Sequence, residues 1–196
     1  MFHVTQPLIL ASTSPRRQQF LRDMGLEFTV VKPELDEPHP LPGEDPVVYA
    51  ARTAALKATA AASRYPGCAV VAADTVVVAG LDILGKPVDE ADSLRMLERL
   101  AGKTHTVVTA VEIVFSDASR TGFACSSQVR LHSWPQAVLA AYARSGEPLD
   151  KAGAYAVQGL GTFLVAEIAG SWSNVVGLPV TELTEFLLQH KLIEVR

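Results

Sequence analysis

The chain has 196 residues, of which 48% are hydrophobic, and it carries a formal net charge of −4. This length and composition are sufficient for a sizeable hydrophobic core. No apolar run is long enough to span a bilayer, and no Lys or Arg precedes the N-terminal PLILA patch as in a signal peptide. The acidic balance argues against a general nucleic-acid binder. We therefore expect one large domain or two small lobes, in the cytoplasm, that bind neither nucleic acid nor membrane.

The two cysteines argue against metal-thiolate and redox chemistry. Cys68 and Cys125 both lie outside CxxC and CxxH patterns, so a zinc site or a redox pair is not expected. Both are predicted to be small buried residues in strands of a protein from a reducing compartment.

The first candidate site follows a short strand near the N-terminus. Residues 8–11 are predicted to form a buried strand, Ser14 to cap a helix and Pro15 to begin it, with Gly25 as its stop. Arg16 and Arg17 fall in the first helical turn, where acids are usually preferred. A hydroxyl-rich loop followed by a helix N-terminus with two arginines is typical of an anion site, although two solvated arginines fit the pattern equally well.

An acidic, proline-rich loop and a long helix follow. Residues 28–31 are predicted to form a strand, and the loop after it contains Glu37 among other acids that are ordinarily solvated. Asp45-Pro46 opens a helix that we expect to end near Ser63. Lys57 lies on this helix, and its pattern alone does not separate a functional lysine from a solvated one.

The central segment runs from Cys68 to Pro87 and contains one acid in an otherwise apolar run. Its valines favour a packed strand, and Asp74, followed by Thr75, interrupts them. An ionised carboxylate in such a strand requires a cation, a metal or hydrogen-bond donors. A glycine turn follows, and Lys86 near the end of the segment carries a positive charge. A structural Asp at a strand end and a functional one are equally good interpretations of this segment by itself.

The remaining elements predict a mixed α/β chain. Helices are expected from Asp89 to about Gly102, from Pro135 to about Arg144 and from Val180 to about His190. Strands are expected over 106–115, 123–131 and 162–168, with a loop over 171–179. The segment 150–159, DKAGAYAVQG, is dense in polar residues and glycine, which allows close approach of a ligand or an ordinary turn.

Taken together, these segments resemble the Maf family of nucleoside triphosphate pyrophosphatases over nearly the whole chain. The matching segments, in order, are LASTSPRRQQFL, the loop ending LDE, YAARTAALKA, AADTVV, LGKP, LAGKTHTVVTAV, LDKAGAYAVQG and SNVVGLP. The resemblance implies an ITPase-like or Maf-like α/β fold: an elongated mixed β-sheet with flanking helices, in two lobes around a central cleft. It also implies a single Maf-like domain over residues 1–196, hydrolysis between the α- and β-phosphates, and a homodimer.

The resemblance assigns roles to individual residues. Asp74 matches the catalytic carboxylate, and the polar residues around phosphates and metal match Ser12, Arg17, Glu37, Lys57 and Lys86. In-line attack at phosphorus requires an activated water and a metal to neutralise charge. Asp74 can accept the proton of that water or bind the metal, and we favour the first role. Glu37 would be a metal ligand or lie next to one. With no His or Cys cluster, oxygen-liganded Mg²⁺ or Mn²⁺ is expected.

Three positions predict which nucleotide is preferred. Family members that prefer dTTP and UTP resemble this chain at Arg16, Thr75 and Gln158, whereas members that prefer 7-methyl-GTP place Trp, Gln and Glu there. The amide of Gln158 can both donate to and accept from the imide edge of a neutral pyrimidine.

An alternative from another class is a nucleotide-binding regulator of septum formation or cell division with little turnover. Asp74 argues against it, because a pure binder of polyphosphate has no use for a buried acid that repels its ligand.

Overall fold

The computed structural model describes all residues, 1–196, and contains nine strands. In chain order the strands are β1 (Phe2–Val4), β2 (Leu8–Leu10), β3 (Thr29–Val30), β4 (Ala69–Ala79), β5 (Asp82–Leu84), β6 (Thr104–Val114), β7 (Arg120–Leu131), β8 (Val165–Ala169) and β9 (Ile193–Val195).

Six α-helices flank the strands. They are α1 (Pro15–Asp23), α2 (Pro46–Ala62), α3 (Glu90–Leu100), α4 (Gln136–Ala143), α5 (Trp172–Val176) and α6 (Val180–Gln189). Three short 3₁₀ turns span Glu147–Asp150, Ala152–Ala154 and Gly159–Leu164. None of the helices has both the length and the apolar character required to cross a bilayer.

Seven strands form one mixed sheet in the order β3-β2-β4-β6-β7-β8, with β5 paired to β4. Strand β2 lies parallel to both β3 and β4, whereas β5 is antiparallel to β4 and β8 is antiparallel to β7. Strands β1 and β9 form a separate antiparallel pair. This mixed sheet with flanking helices confirms the predicted fold class.

The chain divides into two compact units. The first contains Met1–Asp74, Thr109–Cys125 and Gly177–Arg196, and the second contains Thr75–Val108 and Ser126–Val176. In the first unit β2 and β4 are buried on both faces, as expected for parallel strands. One face packs with α1 and α6 through residues such as Leu21, Leu183 and Leu187, and the other packs with Ala58 and Ala61 of α2.

The second unit has its own core. Val77 of β4, Val107 of β6 and Val129 of β7 pack with Leu97 of α3 and Leu139 of α4. Two polar side chains belong to the same interior: His105 and Tyr155, whose rings meet edge to face.

The helix boundaries follow from local chemistry that the sequence makes visible. Ser14 Oγ accepts from the backbone N–H of Arg17, Asp45 Oδ1 from those of Val47 and Val48, and Asp89 Oδ1 from that of Asp92. Side-chain oxygens at these positions satisfy N–H groups that have no acceptor within the helix. The predicted starts of α1, α2 and α3 are therefore confirmed.

Two local predictions are wrong, and two short strands were missed. The strand expected over 162–168 begins only at Val165, because residues 159–164 form a 3₁₀ turn. The loop expected over 171–179 contains α5, whose backbone N–H at Asn174 donates to Ser171 Oγ. The short strands β1 and β9 were not predicted, because three-residue strands carry too little periodicity to detect.

The cysteines are also less buried than expected. Cys68 precedes β4 and Cys125 lies in β7, and both are half-buried free thiols. Burial, together with the negative charge of Glu182, raises the pKa of Cys125 to about 12. The Cys125 side chain is therefore a neutral thiol at physiological pH rather than a reactive thiolate.

Candidate active site

The candidate site is built where strand β4 and helix α2 meet. Side chains alternate along a strand, so Asp74 points to the same face as Val70 and Ala72, the face that packs with α2. The buried stripe of α2 includes Ala50, Ala54, Ala58 and Ala61, and Lys57 falls within it. A lysine on the apolar stripe of the helix therefore meets an acid on the apolar face of the strand.

Lys57 contacts two carboxylates. Its Nζ donates to Asp74 Oδ1 at 2.6 Å and lies 2.8 Å from Glu37 Oε1. Lys57 and Asp74 are only 7% and 8% exposed, whereas half of the Glu37 side chain is accessible. The structure therefore supplies the cation that the sequence requires for an acid inside β4, and it places Glu37 at the same ammonium group.

The loop after β2 lies beside Asp74. The guanidinium of Arg17 donates from Nη1 to the carbonyl of Ala73 at 2.8 Å and from Nε to the carbonyl of Gly177 at 2.7 Å. Nη1 is also 3.4 Å from the hydroxyl of Ser12, which accepts from the backbone N–H of Ser14. Arg17 thus holds the residue next to Asp74, and Ser12 is buried in the same place.

The electrostatics of the cluster connect these groups. Burial lowers the pKa of the Arg17 guanidinium, and the negative charge of Asp74 opposes that effect. Burial raises the pKa of the Tyr49 hydroxyl, and the charge of Asp74 adds to the shift. The charge of Asp74 therefore influences both an arginine and a tyrosine of the cluster.

The loop that carries Glu37 is fastened to α2 on its C-terminal side. Arg52 makes a bidentate pair with Glu44, with Nε–Oε1 at 2.8 Å and Nη2–Oε2 at 2.6 Å, and this pairing lowers the pKa of the Glu44 carboxyl. Tyr49 donates from its hydroxyl to the carbonyl of Pro38, adjacent to Glu37, at 3.0 Å. These contacts limit the positions available to Glu37. A bidentate arginine–carboxylate pair fixes the relative orientation of its two side chains as well as holding them together.

The carboxylates at this site are of a kind that holds a hard divalent cation. No group of three or more His, Cys, Asp or Glu side chains in the chain is arranged to hold a metal ion. Mg²⁺ usually binds through one or two carboxylates and completes its shell with water and substrate phosphates. Asp74 and Glu37, brought together on one ammonium group, fit that requirement.

The other predicted site residues have different environments. Arg16 is half-buried in the first turn of α1. Thr75 directly follows Asp74 in β4 and is half-buried. Lys86 follows β5 and is exposed, and Gln158 is exposed immediately before the 3₁₀ turn Gly159–Leu164. Thr75, Lys86 and Gln158 belong to the second compact unit, whereas Ser12, Arg16, Arg17, Glu37, Lys57 and Asp74 belong to the first.

Two features of the site were missed from the sequence. The first is the Glu44–Arg52 pair with Tyr49, whose partners are separated by a loop that has no periodic pattern. The second is the burial of Lys57, for which a signal existed: Ala50, Ala54, Lys57, Ala58 and Ala61 follow the spacing of one helical face. A charged residue within such a stripe indicates a buried partner.

The fold of the chain is known from a solved structure. The structure of a HAM1 protein from Coxiella burnetii superposes with a TM-score of 0.58 at 15% identity, covering 94% of this chain and 100% of that one. At this identity the similarity concerns the arrangement of strands and helices alone.

Closer relatives identify the family. The Maf-like protein family model matches residues 7–190. A dTTP/UTP pyrophosphatase of Nitratidesulfovibrio vulgaris is 50% identical over 192 residues, which are 98% of this chain and 91% of that protein. A dTTP/UTP pyrophosphatase of Desulfotalea psychrophila is 44% identical over 196 residues, 100% of both chains. The chain belongs to the Maf-like protein family, as the sequence motifs predict.

Proposed function

We propose that this protein is a hydrolase that converts dTTP and UTP, and modified uridine triphosphates of similar shape, to the monophosphate and pyrophosphate. The observation that carries the proposal is the buried carboxylate of Asp74, held by Lys57 at 2.6 Å beside Arg17 and Glu37. The names of the relatives described above support the substrate and the reaction.

Asp74 acts as the proton acceptor in this proposal. As a water oxygen attacks the α-phosphorus, the new O–P bond forms, the P–O bond that bridges the α- and β-phosphates breaks, pyrophosphate leaves, and Asp74 takes the proton of the water. Lys57 keeps the carboxylate oriented, and its positive charge offsets the repulsion between Asp74 and a polyphosphate. Proton transfer to a positioned carboxylate typically contributes about 10²–10⁴-fold to the rate.

A divalent metal ion, Mg²⁺ or Mn²⁺, completes the proposed chemistry. Glu37 would hold it, together with an oxygen of Asp74 that does not take the proton, and when bound it neutralises charge on the phosphates. Because Lys57 contacts both carboxylates, it limits their mutual repulsion before the metal and the nucleotide arrive.

The phosphates are assigned to a set of hydroxyl and cationic side chains. We assign Ser12, Arg17, Lys57 and Lys86 to this role, since charge-assisted hydrogen bonds to phosphate strengthen as negative charge develops in the transition state. Arg17 also has a second task, because its contacts with the carbonyls of Ala73 and Gly177 fix the backbone next to Asp74.

The base is assigned to Arg16, Thr75 and Gln158. The amide of Gln158 offers an acceptor to the imide N–H of thymine or uracil and a donor to a flanking carbonyl. Cytosine lacks that proton and replaces the carbonyl with an amino group, so CTP is a poor substrate. We further propose that the enzyme acts in the cytoplasm as a homodimer.

A nucleotide panel tests this function. Pyrophosphate release should be measured with dTTP, UTP, CTP, ATP, GTP and 7-methyl-GTP in the presence of Mg²⁺. The proposal requires dTTP and UTP to give the highest kcat/KM. A higher value for 7-methyl-GTP or CTP contradicts the base assignment, and tight binding without turnover of any nucleotide favours the regulator of cell division instead.

A further inference from the structure

The segment that carries Gln158 has little regular structure of its own. It consists of the 3₁₀ turn Ala152–Ala154, a short extended stretch and the 3₁₀ turn Gly159–Leu164, and Gln158 itself is exposed. An amide that distinguishes uracil from cytosine must be placed within hydrogen-bonding tolerance, because such bonds weaken steeply with misalignment. The contacts that hold this backbone therefore decide how well Gln158 can discriminate.

On the C-terminal side of Gln158, a single carboxylate holds two successive backbone amides. Glu147 Oε1 accepts from the N–H of Leu160 at 3.0 Å, and Glu147 Oε2 accepts from the N–H of Gly161 at 2.8 Å. The first N–H groups of a helical turn have no acceptor within it, and a carboxylate acceptor makes these bonds charge-assisted. The turn that begins directly after Gln158 is thus closed by Glu147.

The same turn is closely packed and leaves no room for a side chain at Gly161. A Cβ atom on Gly161 would lie 2.5 Å from the Tyr142 hydroxyl and 2.7 Å from the Ala156 carbonyl. Gly159 has a φ of +68°, a conformation that a residue with a side chain rarely adopts. Burial and the neighbouring Glu147 raise the pKa of the Tyr142 hydroxyl. This tyrosine therefore lies near the Glu147 carboxylate and its two backbone bonds, which we call the Glu147 clamp.

On the N-terminal side, the segment is anchored in the core of the second unit. The Tyr155 hydroxyl and His105 Nε2 are 2.8 Å apart and buried. The N–H of Gly153 donates to the carbonyl of Gly85, the residue before Lys86, at 3.0 Å. With its N-terminal side fixed in this way, the freedom left to Gln158 depends on the Glu147 clamp.

We propose that Glu147 is a positioning residue for base discrimination: its carboxylate fixes the backbone after Gln158, and so the amide of Gln158, without contacting the nucleotide. The inference rests on the proposed function, since it concerns how the enzyme separates UTP from CTP. Without the clamp, Gln158 is displaced or turned, and its donor and acceptor no longer match uracil in preference to cytosine.

The test compares Glu147→Gln with the wild type and with Glu167→Gln. Glu167 is an exposed acid of the same unit that pairs with Arg130 at 3.1 Å, so it controls for loss of a charge. An amide in place of the Glu147 carboxylate presents an NH₂ group to one of the two backbone donors and removes the charge. We expect the UTP/CTP ratio of kcat/KM to fall about tenfold, the size of one misaligned neutral hydrogen bond. The fall should come mainly from a higher KM for UTP. Glu167→Gln should leave the ratio unchanged.

A double variant separates positioning from general damage. If Glu147 acts through Gln158, then Gln158→Ala should lower the ratio as well, and Glu147→Gln combined with Gln158→Ala should lower it no further than Gln158→Ala alone. Additive losses, or an unchanged ratio in Glu147→Gln, would overturn the proposal. If Glu147→Gln does not fold, the same measurements should be made with Glu147→Asp. This variant keeps the carboxylate on a side chain that is one methylene shorter, and the same criteria apply.

Amide hydrogen exchange provides a readout that does not depend on activity. Glu147→Gln should speed exchange at Leu160 and Gly161 and leave exchange in α2 unchanged. Unchanged exchange at these two amides would refute the clamp itself. If the wild type does not prefer UTP to CTP, the proposed function fails and the role in discrimination fails with it, while the exchange result still shows whether the clamp exists.

Discussion

Replacing Lys57 by methionine tests whether the buried ion pair organises the site. Lys57→Met keeps most of the side-chain length and removes the charge that lies 2.6 Å from Asp74 Oδ1. Removing one partner of a buried pair typically costs about 3–5 kcal/mol, because the other charge stays buried without compensation. Glu37 should contribute little to this loss, since half of its side chain is exposed to water.

In Lys57→Met, protonation of the Asp74 carboxyl limits the loss of stability and makes that loss depend on pH. For an ordinary aspartate, with a pKa of about 3.9, taking up a proton costs about 1.36 kcal/mol for each pH unit above that value. This sets a ceiling of about 4 kcal/mol at pH 7 and about 1.5 kcal/mol at pH 5. The variant should therefore lose more stability relative to the wild type at pH 7 than at pH 5, because the carboxyl binds a proton in the folded variant that it does not bind when unfolded.

Urea unfolding followed by circular dichroism at pH 5 and pH 7 measures this difference. The Lys57→Met, Asp74→Asn double variant should recover much of the loss at pH 7, because the carboxylate that lost its partner is then replaced by a neutral amide. Arg64→Met is a matched control, since Arg64 lies on the surface and pairs with the exposed Glu34. A loss of the same size at both pH values, without recovery in the double variant, would show that Lys57 serves only as packing.

Three further outcomes are expected. EDTA should abolish hydrolysis and Mg²⁺ or Mn²⁺ should restore it, whereas full activity in chelated protein would remove the metal role of Asp74 and Glu37. Burial lowers the pKa of His105 from 6.5 to about 4, so the unfolded state takes up this proton at a higher pH than the folded state. The free energy of unfolding should therefore fall by up to about 3 kcal/mol between pH 6.5 and pH 4. The stability of His105→Gln should depend less on pH across that range. Arg17→Ala should lower the melting temperature and kcat/KM together, because two backbone carbonyls lose their donor, and unchanged stability would show that Arg17 serves the substrate alone.

The sequence predicts elements whose boundaries are encoded locally. Ser14, Asp45 and Asp89 cap their helices through bonds to residues two or three positions on, so a short window of sequence contains all the information needed. The 3₁₀ turn Gly159–Leu164 is different, because it is closed by Glu147, which lies 13 residues before Leu160. Alternating apolar residues in that region therefore favour a longer strand than the chain forms.

The same distinction applies to the candidate site. Asp74 stands out because a lone acid in an apolar run conflicts with its surroundings. Its partners Lys57 and Glu37 come from a helix and a loop, and they reach Asp74 through the packing of α2 on the sheet and the contacts of Arg52 and Tyr49 with that loop. The buried stripe of α2 marks Lys57, but nothing local marks Glu37 among the other acids of its loop.

The most direct test of the central claim is to identify the products formed from dTTP by the wild type and by Asp74→Asn. In ³¹P NMR with Mg²⁺ present, the wild type should convert dTTP to dTMP and pyrophosphate in equal amounts. Asp74→Asn should bind dTTP and form these products about 10²–10⁴-fold more slowly. Formation of dTDP and phosphate by the wild type, or a rate for Asp74→Asn above a tenth of the wild-type rate, would contradict the account.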